Sequence, residues 1–192
     1  MVNIMKISKD LIFVDNPRGY YYKGKKMQGI TRLIGKRLNK NFPTGGKIPQ
    51  HVTDAAEFGS LVHEDVEEYI KSGKSGAHPA SKFVIKQLER NYPKKDYDIY
   101  GELLVTDKRN YATAIDIVAV NKKTGKAVTF DIKTGIFDRE YCSFQLGIGN
   151  YLLNLTYGLD VEESYVLATK TKHCFRIIPK KLERVKSLLG HN

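Results

Sequence analysis

The chain has 192 residues, a length that can bury one core and that favours a single domain. Lysine and arginine number 32 against 21 acidic residues, and the net charge of +11 fits either a polyanionic partner or simple solubility. The two distant cysteines, Cys142 and Cys174, exclude a four-cysteine zinc site or iron–sulfur cluster within one chain, and the lack of a signal sequence or of about 18 consecutive apolar residues predicts a cytoplasmic protein without membrane contact.

Residues 1–50 are expected to form an N-terminal extension built from short strands and one basic helix. The strands are expected over Leu11–Asp15 and Tyr20–Gly24, and the helix over Thr31–Leu38. The stretch Phe42–Pro49 is rich in glycine and proline, which is typical of a loop.

Residues 51–192 predict the core of the protein. Its first helix is expected to begin at Thr53, with Asp54 in the first turn, to run to about Ile70, and to be closed by residues 72–76. The other predicted elements are a helix over Ala80–Tyr92, strands over Tyr97–Thr106, Tyr111–Val120 and Lys126–Lys133, a helix over Arg139–Tyr157, strands over Ser164–Thr169 and Cys174–Ile178, and a helix after Pro179. Residues 121–125 form a plausible hairpin loop. This order predicts an α/β fold, a mixed sheet with helices on its faces.

Two of these strands carry acids inside apolar runs. Side chains alternate along a strand, so Asp131 and Lys133 should share one face while Ile132 faces the opposite layer. Asp116 interrupts the preceding strand, and hairpin pairing would place the two aspartates about 5 Å apart. Isolated buried charges cost several kcal/mol, so these groups need a partner, and Mg²⁺ is commonly held by one or two carboxylates. The alternative is an ion pair of Lys133 with either aspartate that has no catalytic role.

Two other side chains, those of His63 and Glu102, are candidates for the same site. His63 borders the apolar stripe of the first core helix, where Glu67, one turn later, could orient the imidazole, although a histidine there is also common in ordinary packing. Gly59 in the same helix indicates that something packs closely against it. Glu102 brings another acid into a strand, as a ligand, a water anchor or a solvent-facing side chain.

The helix after the Asp131–Lys133 strand offers two polar side chains on one face. Gln145 and Tyr141 lie four residues apart, and amide and phenol groups in this position can hold a nucleic-acid backbone or base edge. An equally good explanation is that these two side chains only lie on the helix surface or pack against the core.

Taken in order, these residues resemble the PD-(D/E)XK nucleases, and in particular their RecB-like exonuclease branch. The matching segments are Gly59-Ser60-Leu61-Val62-His63, Glu102, Ala114-Ile115-Asp116-Ile117-Val118, Asp131-Ile132-Lys133-Thr134-Gly135 and Gln145. Residues 22–31 are similar to the leader of small stand-alone members, many of them encoded by bacteriophages. The resemblance implies a restriction-endonuclease-like fold, a mixed central sheet flanked by helices.

The resemblance also implies roles for individual residues. Asp116 and Asp131 would bind Mg²⁺ or Mn²⁺, with His63 as a further ligand and the backbone carbonyl of Ile132 as a candidate fourth. Lys133 would be the catalytic lysine. Around this centre, Glu102 would join the catalytic set, and Thr134, Tyr141 and Gln145 would contact DNA. No iron–sulfur cluster is expected.

Two positions depart from the family pattern. Ala114 stands where a glycine usually precedes the first aspartate by two residues. Gly149 replaces the tyrosine that usually follows Gln145 by four, and Tyr151 lies about 240° around the helix from Gln145, so it is not expected to share its role.

The function expected from these residues is a metal-dependent DNA exonuclease that works on linear ends, duplex or single-stranded, in phage recombination, replication or repair. One alternative is a structure- or sequence-specific endonuclease, such as a junction resolvase or a restriction-like enzyme. Another is a catalytically inactive DNA-binding module. A homo-oligomer or a phage recombination protein is the expected protein partner, and the cytoplasm of the bacterial host is the expected location.

Overall fold

The computed structural model describes residues 9–40, 49–74 and 78–191, and within them the chain forms eight strands and five helices. The strands are β1 (Leu11–Asp15), β2 (Arg18–Tyr22), β3 (Lys25–Gly29), β4 (Tyr97–Thr106), β5 (Tyr111–Asn121), β6 (Ala127–Lys133), β7 (Val161–Ala168) and β8 (His173–Arg176). The helices are α1 (Ile30–Arg37), α2 (Gln50–Ser72), α3 (Pro79–Asn91), α4 (Arg139–Tyr157) and α5 (Leu182–Leu189). The expected α/β class with a mixed sheet is therefore confirmed.

All eight strands join one sheet in the order β1-β2-β3-β5-β6-β7-β8, with β4 on the other side of β5. β4 pairs antiparallel along one edge of β5, from Tyr97 opposite Asn121 to Thr106 opposite Ala112. The other edge of β5 is shared, because β3 pairs in parallel with residues 111–112 and β6 pairs antiparallel with residues 117–120. Residues 113–116 lie between these two neighbours, and we call this part of β5 the fork.

Helices cover both faces of the sheet, as expected when strands are apolar on both sides. On one face, Val62 and Val66 of α2 and Val84 of α3 pack with Ile117 and Ile132. On the other face, the helices α1, α4 and α5 bury a second cluster against β4 and β5. Its fully buried members include Ile34, Val118, Val120, Ile148, Leu152 and Leu153.

The pleat of the two central strands is interrupted at the fork. Ile115 and Val118 pack in the same cluster although residues three apart should face opposite sides of a regular strand. The pairings of Gly101 with Ile117 and of Leu103 with Ile115 place Glu102 beside Asp116 at this interruption. Glu102 adopts a φ of +46°, a left-handed conformation that costs about 1–3 kcal/mol outside glycine.

Helix α2 starts earlier than the sequence predicted. It begins at Gln50, after Pro49 at the N-cap, so Thr53 lies inside the helix and the prediction that it opens the helix is wrong. A hydrogen bond of 2.7 Å from the Gln50 side chain to Asp54 stabilises this extra turn. The helix ends at Gly73, within the predicted turn, and Gly73 adopts the left-handed conformation. Residues 75–76 of the predicted turn and residues 42–48 of the predicted connector lie outside the described residues.

The N-terminal extension contains one strand more than the sequence predicted. The expected strand over Tyr20–Gly24 ends at Tyr22, and Gly24 occupies the turn with a φ of +79°. The chain then returns as β3, which the lysine-rich sequence of Lys25–Gly29 did not indicate. The parallel pairing of β3 with β5 attaches the extension to the central sheet beside the fork.

The described C-terminal end of the chain is anchored to the turn between β4 and β5. His191 Nε2 lies 2.9 Å from Asp107 Oδ2, and His191 Nδ1 lies 3.3 Å from the Tyr151 hydroxyl. Asp107 also accepts hydrogen bonds from the backbone N–H groups of residues 109–111. Tyr151 thus belongs to this anchor and not to the surroundings of Gln145. Among the described residues, no helix has the length and apolar character needed to cross a bilayer.

Candidate metal and active site

Asp116 lies where β5 and β6 separate. Beyond Phe130, which still pairs with Ile117, β6 no longer pairs with β5, while its pairing with β7 continues to Lys133. The Asp116 carboxylate bridges the opening, because its Oδ2 accepts a hydrogen bond of 2.6 Å from the Ile132 N–H. The expected proximity of the Asp116 and Asp131 strands is therefore present, and the carboxylate takes the place of a ladder hydrogen bond.

Three side chains converge beside this opening. His63 Nδ1 is 3.1 Å from Glu102 Oε1, and His63 Nε2 is 3.8 Å from Asp116 Oδ2. One ligand atom from each of these residues lies within 4.8 Å of the others. Each residue comes from a different element, α2, β4 and β5, and each is half-buried. An imidazole and two carboxylates at this spacing can hold a divalent cation and leave further coordination positions for water or phosphate.

Asp131 does not belong to this group of three donors. Its carboxylate oxygens lie 2.9 Å and 2.8 Å from Lys133 Nζ, and the Asp131 side chain is almost fully buried. Gln145, expected to contact DNA, places its Oε1 3.2 Å from the same ammonium. The structure thus gathers His63 and Asp116 with Glu102, whereas Asp131 forms the ion pair that the sequence left open as an alternative.

The expected strand geometry around Lys133 is nevertheless correct. Ile132 packs with Val62 and Val66 against α2, while Asp131 and Lys133 face α4, where they meet Cys142 and Gln145. A narrow cleft between the fork and α4 is lined by both aspartates and by Gln145. Both aspartates therefore border one cleft, and Lys133 reaches it only through its contacts with Asp131 and Gln145.

Burial and mutual charge set the protonation of this centre. Burial raises the pKa of Asp116, and raises the pKa of Asp131 to about 6 although the Lys133 charge opposes it. Burial lowers the pKa of Lys133, but the negative charges of Asp131 and Asp116 have the larger, opposite effect. The pKa of Lys133 is therefore raised, and the side chain stays an ammonium. Burial also lowers the pKa of His63, but its hydrogen bond to Glu102 and the Asp116 charge raise it to about 9. Without a metal, His63 is therefore protonated near neutral pH.

The expected role of Glu67 is wrong. Glu67 Oε1 pairs with Lys71 Nζ at 2.7 Å, one turn along α2, and His63 takes Glu102 as its partner. Helical spacing alone cannot reveal this, because the imidazole turns toward the sheet. The pairs on either side of Glu102, Gly101 with Ile117 and Leu103 with Ile115, bring it beside Asp116 at an irregularity that the sequence does not indicate.

The remaining predicted residues lie at the margin of the centre. A Cβ at Gly59 would lie 3.5 Å from Thr134 Oγ1, so the expected close neighbour of this glycine is Thr134. Tyr141 packs against the core, hydrogen-bonds the Thr31 side chain, and has its pKa raised by burial. Gly149, four residues after Gln145, lies against Ile115 of the fork, since a Cβ there would be 3.4 Å from Ile115 Cγ1.

Comparisons with known proteins add no assignment to this geometry. No protein-family model matches the chain, and no curated protein matches it significantly.

Proposed function

We propose that this protein is a metal-dependent DNA nuclease of the PD-(D/E)XK type, with a restriction-endonuclease-like fold, that acts as an exonuclease on DNA ends. The observation that carries the proposal is the convergence of His63, Glu102 and Asp116 beside the Asp131–Lys133 pair. Three donors and an ammonium on neighbouring elements match the chemical needs of phosphodiester hydrolysis.

The donor set fits a hard divalent cation. Two carboxylates suit Mg²⁺, and the imidazole makes Mn²⁺ an equally suitable ion. Hydrolysis needs a nucleophilic water, neutralisation of the phosphoryl oxygens and help for the leaving oxygen, and an ion held by His63, Glu102 and Asp116 would contribute to all three. His63 would release its proton on binding, since only the neutral imidazole is a ligand.

Lys133 acts as a fixed positive charge in this proposal. Its raised pKa keeps it protonated, which favours orienting the attacking water and offsetting phosphate charge over removing a proton. Asp131 and Gln145, which both line the cleft, contact the ammonium at 2.8 Å and 3.2 Å and so fix its position. Asp131 is therefore a positioning residue for Lys133 in the metal-free arrangement.

DNA is the substrate that the charge of the chain supports best. The net charge of +11 favours a polyanion, and affinity carried by phosphate contacts should fall steeply as salt is raised. The proposed setting is phage DNA recombination, replication or repair in the cytoplasm of a bacterial host. A second copy of the chain or a phage recombination protein is the proposed partner.

End-labelled linear DNA, duplex and single-stranded, tests the proposal when it is incubated with Mg²⁺, Mn²⁺ or EDTA. Wild type should digest the labelled DNA only with a divalent ion. Asp116→Asn and Lys133→Ala should each lower the rate of digestion by roughly 10²-fold or more. Glu163→Gln changes a half-buried acid that contacts Arg176 and Tyr165 outside the centre, and should digest like wild type.

Two results would overturn the proposal. Wild type could leave DNA intact with either ion, or both site variants could digest at the wild-type rate. A closed circular substrate decides the mode of action: an exonuclease leaves it intact, and cleavage would assign an endonuclease instead.

A further inference from the structure

The row of paired residues that contains Lys133 continues across the sheet to its last strand, β8. Lys133 of β6 pairs with Ala168 of β7, and Ala168 pairs with His173 of β8. In the next row, Asp131 pairs with Val166, which pairs with Phe175. Side chains in such rows share a face, so His173 and Phe175 lie on the α4 side of the sheet, about 10 Å from Lys133 and Asp131 across two strand spacings.

His173 and Phe175 form a small aromatic platform at this edge. Their rings are stacked, with centroids 5.7 Å apart and planes 24° from parallel. Phe137, from the loop that follows Lys133, supports Phe175 with a centroid distance of 5.4 Å. His173 is exposed and Phe175 is half-buried, so the platform is anchored in the protein and open to solvent on its outer side.

The loop from Lys133 to α4 adds an exposed apolar side chain next to the platform. Ile136 is 96% exposed, although its neighbour Phe137 packs on Phe175. Asp138 caps α4 and pairs with Lys40, which fixes the far end of the loop. A single exposed isoleucine does not by itself indicate a ligand, and Ile136 contributes here only apolar surface next to the platform.

Cations without a carboxylate partner surround the platform. The Arg139 guanidinium lies 5.4 Å from the Phe175 ring centroid, and Lys170 and Lys172 are exposed in the turn between β7 and β8. Within the described part of the chain, none of these three forms a salt bridge, whereas the nearby acids Asp138 and Glu140 are paired with lysines. The patch is therefore positively charged where it borders the aromatic rings.

We propose that this patch, the stacking surface made of Ile136, Arg139, Lys170, Lys172, His173 and Phe175, binds single-stranded DNA and leads it to the candidate centre. Bases stack on the His173–Phe175 platform and on Ile136, while Arg139 and the two lysines contact phosphates. Aromatic stacking with interleaved cations is the pattern of proteins that bind single strands, because a base within a duplex has no free face for a side chain. The inference rests on the proposed function in that it names the preferred substrate of that site.

Binding measured without divalent ions tests this surface separately from catalysis. Fluorescence anisotropy in EDTA gives the Kd of a labelled oligodeoxythymidine and of a blunt duplex of equal length, at one salt concentration. His173→Ala removes an exposed ring, Phe175→Leu keeps an apolar side chain in the cluster, and the double variant removes both rings. Arg176→Gln is the matched control, because it changes the same strand on the opposite face of the sheet.

The single-strand Kd should rise roughly tenfold in the double variant, with the duplex Kd near its wild-type value. Arg176→Gln should leave the single-strand Kd near wild type. An unchanged single-strand Kd in His173→Ala and Phe175→Leu, or equal losses on single strand and duplex, would overturn the inference. If Phe175→Leu fails to fold, His173→Ala alone decides. A wild type that binds single strands through this surface but digests no DNA would refute the proposed function and leave the stacking surface intact.

Discussion

Replacing Lys133 by methionine should destabilise the protein by about 3 kcal/mol near pH 8. The substitution preserves an unbranched chain of similar length but removes the ammonium that lies 2.8 Å from Asp131. Removing one partner of a buried pair typically costs about 3–5 kcal/mol, and we expect the lower end because 26% of the Lys133 side chain is exposed. The cost comes from the Asp131 carboxylate, which is left charged and buried beside Asp116.

The loss should shrink as the pH falls. Burial already raises the folded-state pKa of Asp131 to about 6, above the ordinary value of 3.8, so the folded chain takes up a proton more readily than the unfolded one. Without Lys133, the charge that opposes this shift is gone and the pKa rises further. Protonation then relieves the buried charge, and the stability difference between variant and wild type should narrow from about pH 8 to about pH 5.

Urea denaturation of both proteins at the two pH values measures this difference. Lys71→Met is the control, because Lys71 is an exposed lysine that pairs with the half-buried Glu67 within one helix, and its loss should cost under about 0.5 kcal/mol. A loss that does not change with pH, or one as small as the control, would refute the assignment of the Asp131–Lys133 pair as a buried, mutually dependent unit.

Three other properties follow from the geometry of individual residues. Mn²⁺ affinity should rise with pH toward about 9, because the ion must displace the proton of His63. Calorimetry in buffers of different ionisation enthalpy measures the affinity and the number of protons released, and an affinity that does not change with pH would contradict this prediction. At position 102, glycine should be more stable than alanine by about 1 kcal/mol, since Glu102 has a φ of +46°; equal urea midpoints for the two variants would count against this. Gly59→Ala should stabilise α2 by up to about 1 kcal/mol, whereas Gly147→Ala should destabilise, because its Cβ would lie 3.0 Å from the backbone N of Lys180; melting temperatures that shift in the same direction would disprove the contrast.

Local periodicity was sufficient to predict the arrangement of Asp131, Ile132 and Lys133. The alternation of a strand fixes which side chains share a face, and the loop at residues 121–125 brought β5 and β6 together as an antiparallel pair. These features depend on neighbours in sequence, so they could be read without a structure. The end of α2 at Gly73 could be read in the same way, because glycine readily adopts the left-handed conformation that ends a helix.

The composition of the donor group could not be predicted in the same way. Glu102 reaches His63 through a backbone conformation that few non-glycine residues adopt, and nothing in the sequence of β4 indicates it. The partner of His63 was misassigned to Glu67 because helical spacing identifies neighbours within α2 only. Which of the two aspartates joins His63 and which pairs with Lys133 depends on the divergence of β6 from β5, a property of the whole sheet.

The donor group joins segments that are distant along the chain. His63 and Glu102 are separated by 39 residues, and each donor belongs to a different helix or strand. Long-range contacts of this kind form only when the intervening chain has closed. A nascent chain that has not yet docked α2 onto the sheet therefore lacks the complete donor group, so the proposed ion binding would require the native state.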